Sequence, residues 1–142
     1  FPAWFRDFNN DGALDIFVAS YEIPDGTDSV AKSYLGLPFD AETLRLYQGD
    51  GKGGFKEVSE EQKLTQLSLP MGSNFGDLDN DGFPDFYLGT GYPNYEALMP
   101  NLMYHNQRGK GFANVTTAGS RGDQMGRTNI CVRSKKGIWS KS

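Results

Sequence analysis

The sequence predicts an all-β fold, a partial β-propeller of about two four-stranded blades, on three observations. A nine-residue acidic loop occurs twice, and each copy runs straight into a short apolar strand. The segment beyond repeats as well, with Tyr47 to Tyr104 and Phe55 to Phe112 both 57 positions apart. A period of this length points to a propeller or another repeat array. Four-stranded sheets with aromatics at fixed places suit a ring that leaves no long edge free.

The loops read Asp7-Phe8-Asn9-Asn10-Asp11-Gly12-Ala13-Leu14-Asp15 and Asp77-Leu78-Asp79-Asn80-Asp81-Gly82-Phe83-Pro84-Asp85, with oxygen-bearing side chains at positions 1, 3, 5 and 9 and glycine at position 6. Calcium takes about six to eight oxygens, and a tight turn through glycine lets alternate side chains converge on one point. Two calcium sites are therefore expected, with Asp7, Asn9, Asp11 and Asp15 in one and Asp77, Asp79, Asp81 and Asp85 in the other. The backbone carbonyls of Ala13 and Phe83 complete them, because those side chains cannot ligate. The plain alternative is a pair of solvated Asp/Asn/Gly turns, and recurrence in identical phase counts against it.

The exits decide the kind of loop. An EF-hand carries a bidentate Glu at position 12 and helical flanks, whereas here position 12 is Val18 or Leu88. Asp15-Ile16-Phe17-Val18-Ala19 and Asp85-Phe86-Tyr87-Leu88-Gly89 are short, aromatic and β-branched, the pattern of a buried strand. In the second unit strands are expected at 72–75, 85–89, 102–105 and 112–115, with the metal clamping the first turn. Gly51-Lys52-Gly53-Gly54 and Arg108-Gly109-Lys110-Gly111 supply the positive backbone angles of hairpin turns; no helix pattern follows either, which disfavours a phosphate cradle. Ser59 with Gln62 has the spacing of a capping box for one helical turn. Between the calcium strand and the tyrosine strand, Tyr21–Glu42 is longer than Tyr92–Asn101, which marks an exposed loop.

Phe75-Gly76-Asp77-Leu78-Asp79-Asn80-Asp81-Gly82, followed by Leu88-Gly89-Thr90-Gly91-Tyr92-Pro93, resembles the FG-GAP or VCBS repeat of integrin-alpha-like calcium propellers. With its Leu-Tyr strand and Gly-x-Gly-x-Phe turn, the unit is most similar to the ASPIC/UnbV-associated, cartilage-acidic-protein-like branch. The resemblance covers residues 1–119 and implies an exported or surface-exposed propeller, usually of about seven blades, stabilised by calcium. It also implies a binding or scaffold role rather than catalysis, with the remaining blades and a protein or carbohydrate ligand as partners. Carried over, the metal ligands are Asp7, Asn9, Asp11, Ala13 and Asp15, and Asp77, Asp79, Asp81, Phe83 and Asp85.

The blades span 1–59 and 60–119, and 120–142 reads as a basic tail outside the pattern. The chain opens on Phe1-Pro2-Ala3-Trp4-Phe5, already inside a strand, so a fragment of a longer protein is expected. The net charge is −4 overall, but 120–142 holds six basic groups and one acid, leaving eight basic and 17 acidic groups on 1–119. An acidic body argues against nucleic acid. No apolar run nears the roughly 18 residues of a membrane span, and the single cysteine, Cys131, offers no disulfide framework.

Other motifs read as background. Arg121-Gly122-Asp123 lies in the tail, Asn114-Val115-Thr116 is a glycosylation sequon on a strand, and His105 aligns with Gln48. Trp4, Tyr47, Phe75 and Tyr104 are expected in the core, while Tyr92 and Tyr95 are loop aromatics able to stack on sugars. With the paired carboxylates assigned to metal and no Ser-His-Asp set, no enzyme is expected. The alternatives are a propeller-based polysaccharide-acting enzyme and an adhesion module using the 21–42 loop.

Overall fold

The computed structural model describes residues 2–22, 27–91, 99–116, 131–133 and 139–141. Strands β1 (Ala3–Arg6), β2 (Asp15–Val18), β3 (Arg45–Gly49) and β4 (Phe55–Glu57) form one antiparallel sheet in chain order. Helix α1 (Thr27–Tyr34) lies between β2 and β3. Strands β5 (Pro70–Gly76), β6 (Asp85–Thr90), β7 (Leu102–Asn106) and β8 (Phe112–Asn114) repeat the arrangement in a second sheet. In the tail, β9 (Cys131–Arg133) and β10 (Trp139–Lys141) pair with each other; Arg121-Gly122-Asp123, Tyr92 and Tyr95 lie outside the described residues. Among the described residues the fold is thus all-β apart from one short helix, with the acidic loops joining the first two strands of each four-stranded sheet.

The repeat holds at the level of single hydrogen bonds. Residues paired across an antiparallel sheet share a face, so Phe5, Ile16, Tyr47 and Glu57 form one row in the first sheet. The corresponding row in the second is Phe75, Phe86, Tyr104 and Asn114. Leu46 N–H donates to Ser59 Oγ at 2.9 Å and Met103 N–H to Thr116 Oγ1 at 3.2 Å, fastening the end of each hairpin in the same way. Each hairpin turn is closed by one backbone bond, Asp50 N–H to Gly54 O and Gln107 N–H to Gly111 O.

A single turn with a helical bond forms at Ser59, Gln62 N–H to Val58 O at 2.9 Å, but without the expected capping box. The Ser59 hydroxyl is held in the sheet by Leu46, and Gln62 Nε2 donates to Gly109 O instead of reaching back to the Ser59 amide. Residues 59–63 form turns. The helix sits in the insertion instead, where Asp28 and Lys32 pair one turn apart and Ser33 Oγ accepts from Leu67 N–H. Polar Asp-Ser-Lys-Ser composition and weak periodicity hide it in the sequence.

The core forms where the Trp4–Phe17–Leu46 face of the first sheet meets the Phe86–Tyr104 face of the second. Phe86 is at its centre, with ring centroids 4.9 Å from Phe17, 4.7 Å from Tyr104 and 4.9 Å from Phe112. Trp4 stacks on Phe17 at 4.7 Å and sends its indole N–H to Ser73 Oγ across the sheets. Trp4 and Tyr104 are buried as expected. Phe75 is 41% exposed, beneath the Arg6 guanidinium, and Tyr47 is half-buried; both lie on sheet faces rather than in the interior.

Candidate metal centres

Both loops wind their backbone around the first aspartate. Asp7 accepts from the amides of Asp11 and Gly12, and Asp77 accepts from Asp81 and Gly82, at 2.9–3.1 Å. Position 5 caps the next amide in turn, Ala13 N–H to Asp11 Oδ1 and Phe83 N–H to Asp81 Oδ1. Such a path requires left-handed backbone twice per loop. It occurs at Asn10 (φ 58°) and Gly12 (φ 88°), and again at Asn80 (φ 59°) and Gly82 (φ 92°). Glycine adopts this region freely and asparagine tolerates it best among side-chain-bearing residues, which explains the Asn at position 4 that a list of ligands passes over.

The carboxylates converge. Asp77, Asp79 and Asp81 each offer an oxygen within 4.8 Å of the others, as do Asp79 and Asp85 with His105. The Asp77–Asp79–Asp81 set is all-oxygen and multiply charged and fits a hard cation such as calcium; Asp85 groups with Asp79 and His105 instead, and among the described residues no such triplet of acids forms at the first loop. In the first loop Asn9 takes the place of an acid, and its amide donates to Asp11 Oδ2 at 2.8 Å. Backbone amides and neighbouring amide side chains hold the Asp11 carboxyl below the usual range, with the Ala13 N–H foremost, then Asn9 and Gln48.

Position 9 has a second task. Asp15 accepts from Phe8 N–H and Gly49 N–H, and Asp85 accepts from Leu78 N–H and Asn106 N–H, all at 2.7–2.9 Å. Each carboxylate thereby ties the start of its loop to the third strand, with lone pairs left over for a cation. Burial pushes both carboxyls above the ordinary value, partly offset by those amides. Nearby, Gln48 Nε2 donates to Asp11 Oδ2, while the corresponding His105 Nδ1 lies 3.1 Å from Asp85 Oδ1 and 3.8 Å from Asp79 Oδ2.

The first loop is also clamped from the second sheet. Buried Asn106 donates to Phe8 O at 2.8 Å and to Pro84 O at 3.1 Å, and its oxygen accepts from Gly109 N–H. Asn10 Nδ2 donates to Gly82 O, joining the two loops. Gly109 sits so close to Asn9 that a side chain there would start 2.9 Å from its Cβ. Asn106 is not marked in the sequence, and Gly109 is legible there only as a turn glycine, not as a contact for the first loop; the aligned residues, Gly49 and Lys52, differ from them. In the sequon, Asn114 is exposed and ends β8, its amide donating to Gln66 Oε1.

No curated protein and no solved structure matches the chain. The family of FG-GAP-like repeats matches residues 7–88, from the first aspartate of the first loop into the strand that leaves the second. That span holds both loops, the first loop-exit strand and most of the second, and on it the chain belongs to the FG-GAP-like repeat family.

Proposed function

We propose that this chain supplies calcium-stabilised blades to an exported, non-catalytic propeller of the ASPIC/UnbV-like branch, which acts as a binding or scaffold module. FG-GAP-like repeats are typical of propeller-type binding modules on extracellular proteins, and among the described residues no helix is long and apolar enough to cross a membrane. The observation that carries the reading is the repeated loop conformation. Two segments 70 residues apart share the same left-handed positions and the same amide-to-carboxylate bonds, and in the second of them three carboxylates converge. Calcium then acts on folding: bringing three carboxylates together is repulsive without a cation.

Calorimetric titration of calcium tests this. Two sites are expected, the second tighter because it holds four carboxylates against three, and charge count helps tune affinity. Asp81→Ala abolishes the tighter site and leaves the other measurable; one site or none in the unaltered chain refutes the assignment.

The insertion favours a recognition role alongside the structural one. At the end of α1 and just past it, Tyr34, Leu35 and Leu37 are more than half exposed, a surface suited to a protein or carbohydrate ligand. Deleting 27–37 should leave calcium binding intact and remove ligand capture.

A further inference from the structure

One side chain breaks the equivalence of the two acidic loops. At the third-strand position that faces each loop, the first sheet has Gln48 and the second has His105, the single histidine of the chain. Gln48 Nε2 donates to Asp11, at position 5 of its loop. The imidazole turns elsewhere: Nδ1 lies 3.1 Å from Asp85 Oδ1 and 3.8 Å from Asp79 Oδ2, at positions 9 and 3. One ligand atom from each of the three lies within 4.8 Å of the others, and among the described residues this is the one such group that includes a nitrogen donor.

We propose that His105 Nδ1, Asp79 Oδ2 and Asp85 Oδ1 form a zinc site, at which the second loop exchanges calcium for a borderline transition cation. The inference shares the second loop with the calcium reading and goes beyond it. Calcium takes oxygen ligands, whereas imidazole is a favoured donor to zinc, so one nitrogen changes the cation that a pair of carboxylates selects. The spacing agrees. Donors about 2.0–2.1 Å from a tetrahedral zinc stand about 3.3–3.4 Å apart, and the two separations from Nδ1, 3.1 and 3.8 Å, lie on either side of that value. Asp79 is exposed and able to close the longer gap, while Asp85, at 2% exposure, is fixed by the amides of Leu78 and Asn106. A carboxylate has about four lone-pair sites, so those two amides leave Asp85 capacity for a cation. With zinc on Nδ1 the neutral imidazole carries its proton on Nε2, and three protein donors leave a fourth position to water. The first loop has no equivalent: Asn9 stands for Asp79 and Gln48 for His105, so of the three donors Asp15 alone remains.

Calorimetry with zinc chloride tests the site, on a metal-free chain carrying Cys131→Ser so that the thiol is not a rival ligand. One zinc site is expected, and His105→Gln should weaken it by about a hundredfold or more, since losing a partner that merely orients a ligand already costs up to about that much. Glutamine is the residue at the aligned position of the first sheet, so the variant should keep the fold and its calcium binding. Asp81→Asn should do the opposite, lowering calcium affinity and leaving the zinc site, while its Oδ1 still caps the Phe83 amide. With one histidine in the chain, NMR reads the ligand directly: zinc should shift the Nδ1 resonance and leave the proton on Nε2, and calcium should do neither. Saturating calcium should raise the apparent Kd for zinc, because both cations use Asp79 and Asp85, and zinc should weaken calcium reciprocally. Zinc held as tightly after His105→Gln is an adventitious ion only, the result expected if the imidazole serves just to hydrogen-bond Asp85, and it overturns the site. So does zinc that leaves Nδ1 unshifted, zinc lost with Asp81→Asn instead, or zinc binding that saturating calcium leaves unchanged. The two readings fail separately: zinc on Nδ1 with no calcium site keeps this inference and removes the calcium assignment, and two calcium sites with no zinc on Nδ1 do the reverse.

Discussion

The two sheets carry matching rows of side chains and meet opposite fates. On the second sheet, Phe86, Tyr104 and Phe112 are at most 2% exposed, because the first sheet lies on them; on the first, their equivalents Ile16 and Tyr47 are half-buried and Phe55 is 50% exposed. The chemistry of the rows is nearly the same, so the difference comes from what covers them. A blade of this kind has an apolar inner row and an apolar outer row, and each unit can complete only its neighbour's core. Stacked repeats gain stability from such interfaces, and two units provide one interface for four apolar faces.

The comparison is broken most sharply at its centre. Phe86→Ala empties the meeting point of four aromatic rings and should lower stability by about 3–5 kcal/mol, the usual range for deleting a buried aromatic. Phe5→Ser on the matching row should stay within about 0.5 kcal/mol, as exposed substitutions do. Urea melts of the two variants decide it, and equal losses would mean that both rows are covered in solution.

Metal removal comes next. A ligand that binds only the folded state stabilises by about 2.7 kcal/mol at a hundredfold excess over Kd. Excess chelator should therefore lower the melting temperature, and an unchanged melt would remove calcium from the account of stability.

Asn106→Ala sharpens the contrast between the loops. It strips donors from the buried carbonyls of Phe8 and Pro84 and an acceptor from Gly109, at about 1–3 kcal/mol for buried groups left unpaired. Its effect on calcium should fall on the first site, since the clamp holds that loop, and calorimetry resolves the two.

The smallest effect concerns pH. Burial raises the carboxyls of Asp15 and Asp85 in the folded state, so without metal the folded chain holds these protons more readily than the unfolded one. That contribution is present at low pH and is lost as pH rises from the ordinary value of 3.8 through the raised one. Asp85→Asn should flatten this part of the metal-free stability curve. In excess calcium the trend reverses, because proton and metal compete for the same carboxylate.

Local chemistry made much of this protein legible. Alternating acids around a glycine, the 57-residue spacing of Tyr47/Tyr104 and Phe55/Phe112, and the short aromatic strands are all written within a few residues of one another. Strand limits followed to within two residues, such as 72–75 against β5 at Pro70–Gly76. α1 was not legible, because its polar face resembles a solvated loop and the Leu67 that bonds to its Ser33 lies 34 residues away.

By itself, then, the sequence determined the repeated unit, its acidic loops and its strand order, since turn geometry and side-chain alternation act over short range. Tertiary structure alone decided that Asp15 and Asp85 tie loop to strand, that Asn106 reaches 98 residues back to hold Phe8, and that one of two equivalent rows is buried while the other stays open. Those outcomes depend on which surfaces come together in space, and contacts between distant segments leave no period in the chain that forms them.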